Sequence, residues 1–276
     1  MIKSELDGFL NRRQKNLNEL DKVQFPLGVV EDQSNWPELK TSLSKVLAKP
    51  NQHKIKVLAE VKKKSPSLGE LSKVDAYSLC ESFLSGGADA ISVLVDNVNF
   101  GGYPMDLKIS ADRFPDIPFL YKDFVMESYQ VYLARALGAS NVLLMTQVLD
   151  DNELKQLYDL SLDIGLEPFV EVHNVEQLQR ALQLKPKVIG INARDFSTKG
   201  LPVDLNNAGK LLHTYTEGQH WPEETFVIAQ SGIDSEETYQ KVISACPDGL
   251  PHAVQIGSSV SRSGSLPEWL FEKRNL

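Results

Sequence analysis

Glu60 and Lys62 stand two residues apart at the end of the apolar run Val57-Leu58-Ala59. With the strand period of two, both side chains project from one face. A buried strand that delivers a carboxylate and an ammonium to one place can hold an ion pair, or can give and take protons. Lys64, Ser65, Pro66, Ser67 and Gly69 follow at once and mix a cation, hydroxyls and turn formers, a composition suited to holding an anion near the backbone. A solvated strand end carrying an ion pair is the plain alternative, because strand-to-loop junctions are commonly polar.

Comparable groups recur at the ends of other short apolar runs: Asp96 and Phe100, Lys122 and Asp123, Glu171, Asn192, and Gln230 with Ser231. The runs themselves are expected as strands over Lys56–Val61, Asp89–Val95, Ile117–Tyr121, Asn141–Met145, Glu167–Val172, Lys187–Asn192, Phe226–Gln230 and Ala253–Gly257. Each is rich in Val, Ile or Leu, as strands buried on both faces are. Helical spacing separates them, with capping runs at Asp150-Asp151-Asn152 and Asp234-Ser235-Glu236-Glu237 and helix stops at Gly86, Gly138 and Gly165. Eight strand-and-helix repeats in roughly 220 residues are what a (β/α)8 TIM barrel requires. An open doubly wound sheet is the alternative, but no glycine-rich dinucleotide fingerprint follows the first strand.

In such a barrel the C-terminal strand ends face one another, so the polar groups above form a ring around one mouth. The last two strands carry a separate signal. Gln230-Ser231-Gly232 and Gly257-Ser258-Ser259 place small residues where the backbone can approach a phosphate, at the loops that form a phosphate seat in this fold. Residues 1–50 precede the barrel, which is assigned to 51–276. Leu6, Phe9, Leu10, Leu17 and Leu20 alternate there with charged residues in a helical pattern, interrupted at Pro26 and Pro37, and a last short helix ends at Pro50.

The 276 residues carry 42% hydrophobic and 24% charged residues, an ordinary globular balance. A net charge of −8 opposes a general nucleic-acid surface but leaves room for a local cationic pocket. Cys80 and Cys246 have no metal-ligand spacing and read as small core residues in a reducing, cytoplasmic compartment. His53, His213, His220 and His252 are scattered, His173 reads as structural, and no metal is expected. No membrane span or secretory segment is expected. Arg194 and Asp195 are expected to pair locally, and Lys63 to be a solvated charge.

The chain resembles the indole-3-glycerol phosphate synthases of tryptophan biosynthesis. The resemblance rests on AEVKKKSPSLG at Ala59–Gly69, on ISVLVD with Phe100 and Gly102 after it, and on the long run Tyr121–Met145. It continues through EPFVEVHN, VIGINARDF, AQSGI and VQIGSS. It implies a cofactor-free lyase that closes 1-(2-carboxyphenylamino)-1-deoxyribulose 5-phosphate to indole-3-glycerol phosphate with loss of carbon dioxide and water. Lys122 would then be the principal general acid, and Lys62 would bind the carboxylate or act as a second acid. Glu171 and Glu60 would hold the lysines' charges and pass protons, and Asn192 would orient hydroxyls. Ser65, Gly232, Gly257 and Ser258 match phosphate contacts, and Phe100 and Pro66 match apolar walls; a monomer acting on a phosphorylated small molecule is expected.

Three positions depart from the family pattern. Val95 and Asn99 stand where the family has Thr and an aromatic, which predicts the loss of one aromatic wall. Gln230 replaces a glutamate before Ser-Gly-Ile. A weak or altered-substrate paralogue that only binds a phosphorylated ligand is the alternative these changes suggest.

Overall fold

The computed structural model describes residues 4–49 and 55–273. Pro50 and His53 lie outside them. Eight parallel strands close into a barrel: β1 (Lys56–Val61), β2 (Ala90–Leu94), β3 (Phe119–Lys122), β4 (Asn141–Met145), β5 (Glu167–Val172), β6 (Val188–Asn192), β7 (Phe226–Gln230) and β8 (Ala253–Ile256). Neighbours in sequence are neighbours in the sheet, and β8 closes on β1 with Lys56 opposite Ala253 and Ala59 opposite Ile256. The third strand begins two residues later than expected and takes in Lys122, which pairs with Leu94 of β2. Pro118, which has no N–H to give a ladder, precedes its first residue. At the other end of the sheet Gly257 leaves β8 and caps the helix Ser258–Ser263.

Period-two alternation divides the core into an inner and an outer part. Val57, Ala59 and Val61 face the surrounding helices, while Leu58 joins Leu120, Leu143, Phe169, Val188, Ile228 and Ala253 inside the barrel. Two residues further along, the same inward faces carry polar groups: Glu60 above Leu58, Lys122 above Leu120, Glu171 above Phe169, and Gln230 above Ile228. The barrel thus has an apolar floor and a polar mouth.

Helices follow where capping residues start them. Asp150 accepts from the backbone of Glu153 to open Asp151–Asp163, and Ser235 accepts from Thr238 to open Glu236–Ser244. Gly138 and Gly165, at φ of +89° and +80°, end the helices before them in the left-handed conformation that other residues resist.

The N-terminal segment runs the length of the barrel. The helix Glu5–Asn16 lies at the mouth, where Arg13, wholly buried, donates to Asp123 at the end of β3 through Nε and Nη2, both at 2.7 Å. The short helix Leu43–Leu47 reaches the opposite end, where the Leu43 N–H donates to Asn141 at 3.0 Å and the Ser44 N–H to Glu167 at 2.9 Å. These bonds add to those that Ser140 gives Asn141 and Asn141 gives Glu167, and so tie the segment to the starts of β4 and β5.

Candidate active site

A cleft opens at the C-terminal ends of the strands, and most of the expected residues line it. Glu60, Lys62, Phe100, Lys122, Glu171, Asn192, Gln230, Ser231, Gly232, Gly257 and Ser258 all stand on its wall. Lys64, Ser65 and Pro66 do not. Lys64–Ser65 pairs with Gly69–Glu70 in a two-residue ribbon, which leaves Lys64 and Pro66 exposed and turns the buried Ser65 hydroxyl to Ser67 at 3.2 Å. The ribbon instead lends Leu68 to the cleft rim.

Two acid-base pairs face one another across the cleft. Lys122 Nζ lies 3.3 Å from Glu171 Oε2, and Glu171 Oε1 accepts from Asn192 Nδ2 at 2.9 Å. Asn192 is itself fixed, since its Oδ1 accepts the Arg194 N–H at 2.9 Å. Lys62 Nζ lies 3.6 Å from Glu60 Oε1 and 5.4 Å from the centre of the Phe100 ring. Burial pushes the Lys62 ammonium below the ordinary lysine range; Glu60 opposes that shift, and Arg194 and Lys122 reinforce it. Glu60 and Lys62 do share a face, as their spacing predicts.

The remaining charges sort themselves. Asp123 is occupied by Arg13, by the Tyr121 hydroxyl at 3.0 Å and by Gln130 at 2.8 Å, so it serves the scaffold. Asp96 caps the turn Asn97–Phe100. His173 is structural, with Nδ1 2.9 Å from the Asn192 carbonyl oxygen. Lys122, Lys62 and Arg194 therefore face Glu60 and Glu171 in the cleft, with Asp123 on its wall taken up by Arg13 and Asp234 on the exposed rim.

Three expectations are corrected. Arg194 and Asp195 do not pair: Asp195 accepts from Ser197 and Thr198, while Arg194 donates to the Leu201 carbonyl at 3.0 Å and enters the cleft wall. The period of two carries on from Asn192 to Arg194, a signal the sequence did contain. Lys63 is not simply solvated, because its ammonium sits 2.8 Å from both oxygens of Asp106. Nor is the cleft short of aromatic surface. Phe124 and Phe196 line it beside Phe100, with Phe124 6.0 Å from each and backed by Phe9 of the N-terminal helix. Asn99 has another use: it accepts from Arg12 Nε at 2.9 Å and donates to the Phe9 carbonyl at 3.3 Å, fastening that helix to the loop after β2.

Gln230 donates from Nε2 to Gln255 Oε1 at 2.8 Å, and Gln255 donates from Nε2 to Glu60 Oε2 at 2.5 Å. Gln255 was not anticipated, although an amide inside the apolar run Ala253–Ile256 is an unusual place for one.

At the far side of the cleft, Ser231 and Gly232 take φ of +70° and +78° in succession. Left-handed backbone at a non-glycine residue such as Ser231 is uncommon and marks a specialised turn. The start of the helix Ser258–Ser263 lies beside it on the same cleft.

Comparison with known proteins agrees with this geometry. The profile of the family described as indole-3-glycerol phosphate synthase matches residues 6–268. A Staphylococcus saprophyticus protein named indole-3-glycerol phosphate synthase is 33% identical over 270 residues, spanning 96% of this chain and 90% of that one. An Aquifex aeolicus protein of the same name is 38% identical over 208 residues, 75% of this chain and 77% of its own. Among solved structures, 3-hexulose-6-phosphate synthase from Salmonella typhimurium superposes with a TM-score of 0.57 at 12% identity, over 76% of this chain and 94% of that one, which is a likeness of fold. Fold and sequence together establish that the chain belongs to the indole-3-glycerol phosphate synthase family.

Proposed function

We propose that the cleft carries out the family's reaction, the closure of 1-(2-carboxyphenylamino)-1-deoxyribulose 5-phosphate to indole-3-glycerol phosphate in tryptophan biosynthesis, and that its two lysine-glutamate pairs divide the proton transfers. The observation that carries this is the placement of Lys122 with Glu171 and Lys62 with Glu60 around one cleft, at 3.3 and 3.6 Å. Lys122 donates a proton to the ribulose carbonyl oxygen as the ring carbon that bears the carboxylate attacks. Carbon dioxide then leaves, and its bonding electrons return to the ring system. Dehydration needs one acid to make water of the departing hydroxyl and one base to take the remaining proton. The Lys62 and Glu60 pair and Glu171 supply both within reach of one another.

Lys62 and Arg194 also give the anthranilate carboxylate cationic surroundings, and Phe100, Phe124 and Phe196 give its ring an apolar wall. The phosphate is assigned to Ser231, Gly232, Gly257 and Ser258, small residues of the last two strand ends that line the same cleft. Gln230 is bonded within the mouth's amide chain, which argues for an active enzyme over a paralogue that only binds. The free thiols of Cys80 and Cys246 suit the cytoplasm, and among the described residues no helix is long and apolar enough to cross a membrane.

The test is direct. Purified protein incubated with the ribulose phosphate should develop indole fluorescence, and Lys122→Ala should lose about a hundred- to ten-thousandfold in turnover while still binding a phosphate-bearing analogue. Near-normal turnover in that variant would remove Lys122 from the mechanism.

A further inference from the structure

Glu60 is buried in the barrel mouth, and three neighbours set the position of its carboxylate. Gln255 on β8 donates to its Oε2 at 2.5 Å. Lys62 stands 3.6 Å from its Oε1. Gly257 leaves the space that Oε1 fills, since a Cβ there would come within 2.5 Å of it. Gln255 is in turn fixed by Gln230, its register partner on β7, whose Nε2 donates to Gln255 Oε1 at 2.8 Å.

We propose that Gln255, held by Gln230, is a positioning residue for the reaction: it clamps the Glu60 carboxylate so that one oxygen remains presented to Lys62. The chain of donors has one direction. Because Gln255 Oε1 is committed to the Gln230 N–H, its amide offers Glu60 only a donor, and Glu60 is held as an acceptor. Turned the other way, Gln255 would set its oxygen against a carboxylate oxygen, acceptor to acceptor.

This also accounts for the amide at position 230. A carboxylate there has no N–H to give Gln255, whereas the amide has one and uses it. The Gln230 Oε1 meanwhile accepts no hydrogen bond among the described residues and lies against Gly190, where a Cβ would come within 2.1 Å of it. Gln230 is thus turned toward Gln255 and the barrel interior. Its contribution to the cleft passes through Glu60.

The inference rests on the assignment of Lys62 and Glu60 to the reaction, and its consequence is read on Lys62. The charged groups around that ammonium are Glu60 on β1, Lys122 on β3 and Arg194 after β6. Glu171 is engaged by Lys122, Asp123 by Arg13, and Asp234 stands on the rim. Among these charged groups Glu60 alone favours the ammonium form of Lys62, so a Glu60 that swings away leaves burial and two cations to drive the proton off, against the Phe100 ring face.

The experiment is the pH profile of kcat and kcat/KM for Gln255→Met, Gln230→Met and the double variant, with circular dichroism to establish folding. Gln255→Met is expected to move the alkaline limb down by about one pH unit, which cuts turnover by about tenfold at pH values above both limbs. Gln230→Met should move it the same way by less. The double variant should be no worse than Gln255→Met alone, because both changes act through one chain. A folded variant at either position whose alkaline limb stays where the wild type has it overturns the inference, even if its turnover falls. Gln230→Met decides the matter should Gln255→Met fail to fold. Lys62→Met separates the two levels: wild-type turnover in that variant would refute the role of Lys62 itself, whereas its inactivity beside an unmoved limb in Gln255→Met would refute only the clamp.

Discussion

Replacing Arg13 by Met should detach the N-terminal helix from the barrel mouth, and the cost can be worked from the contacts. The guanidinium is wholly buried and holds Asp123 through two bonds of 2.7 Å, Asn16 at 2.7 Å, and Asp21 in an ion pair at 2.7 Å. Without it the two carboxylates fare differently. Asp123 keeps the Tyr121 hydroxyl, Gln130 and the Phe124 N–H as donors. Asp21 keeps no hydrogen-bond donor among the described residues. Breaking a buried pair costs about 3–5 kcal/mol, chiefly through the charge left behind. With Asp123 largely satisfied, the low end applies, about 3 kcal/mol, or roughly a hundredfold in equilibrium.

Asp21 lies in the same N-terminal segment, so its cheapest escape is for that segment to lift off, taking with it the Phe9 ring that backs Phe124 in the cleft. Burial already pushes the Asp21 carboxyl above its ordinary range, with Arg13 opposing the shift. A carboxyl raised on folding favours the folded state at low pH, and that contribution is lost as pH rises through the folded value. Removing Arg13 raises it further, so the variant should be less destabilised at pH 5 than at pH 8. The assay is denaturant unfolding combined with hydrogen exchange over residues 5–21, on Arg13→Met, Asp21→Asn and the double variant. Asp21→Asn should destabilise the wild type and stabilise the Arg13→Met background. The same sign and size in both backgrounds would refute the reasoning, because the stranded charge would then not be the cause.

Three further outcomes are expected. In Gly257→Ala the added Cβ would lie 2.5 Å from Glu60 Oε1, so turnover should fall tenfold or more with about 1 kcal/mol of lost stability; unchanged kcat would show that Glu60 relaxes freely. Activity that needs the Lys62 ammonium should decline at a pH below the ordinary lysine value of 10.5, and Arg194→Met should move that limb upward; kcat/KM that stays flat through pH 10.5 would exclude the ammonium. Gln230→Glu should change turnover by about tenfold or less across the pH range, equivalent to roughly 1.4 kcal/mol. A wild type that is inert, with activity appearing only in the Glu variant, would sink the active-enzyme reading.

The periodicity of the strands was legible in the sequence because burial on both faces demands unbroken Val, Ile and Leu, and the period of two then tells which polar residue ends up inside. Glu60 with Lys62, Lys122, Glu171 and Asn192 could be placed on one mouth by that rule and the barrel's topology alone. Partnership was another matter. Asp123 looked as available as Lys122 next to it, and only the fold brings Arg13 from 110 residues away to occupy it. Asn99 read as a missing ring, whereas in the fold it fastens the N-terminal helix and Phe124 and Phe196 supply the rings. Arg194 has an anion beside it in sequence and turns to the cleft instead, because Ser197 and Thr198 already satisfy Asp195. Gln255 had no meaning until the closure of β8 on both β1 and β7 set it between Glu60 and Gln230. A side chain's direction follows from the local backbone, but the choice among partners follows from register and closure, which bring together residues that no spacing along the chain can relate.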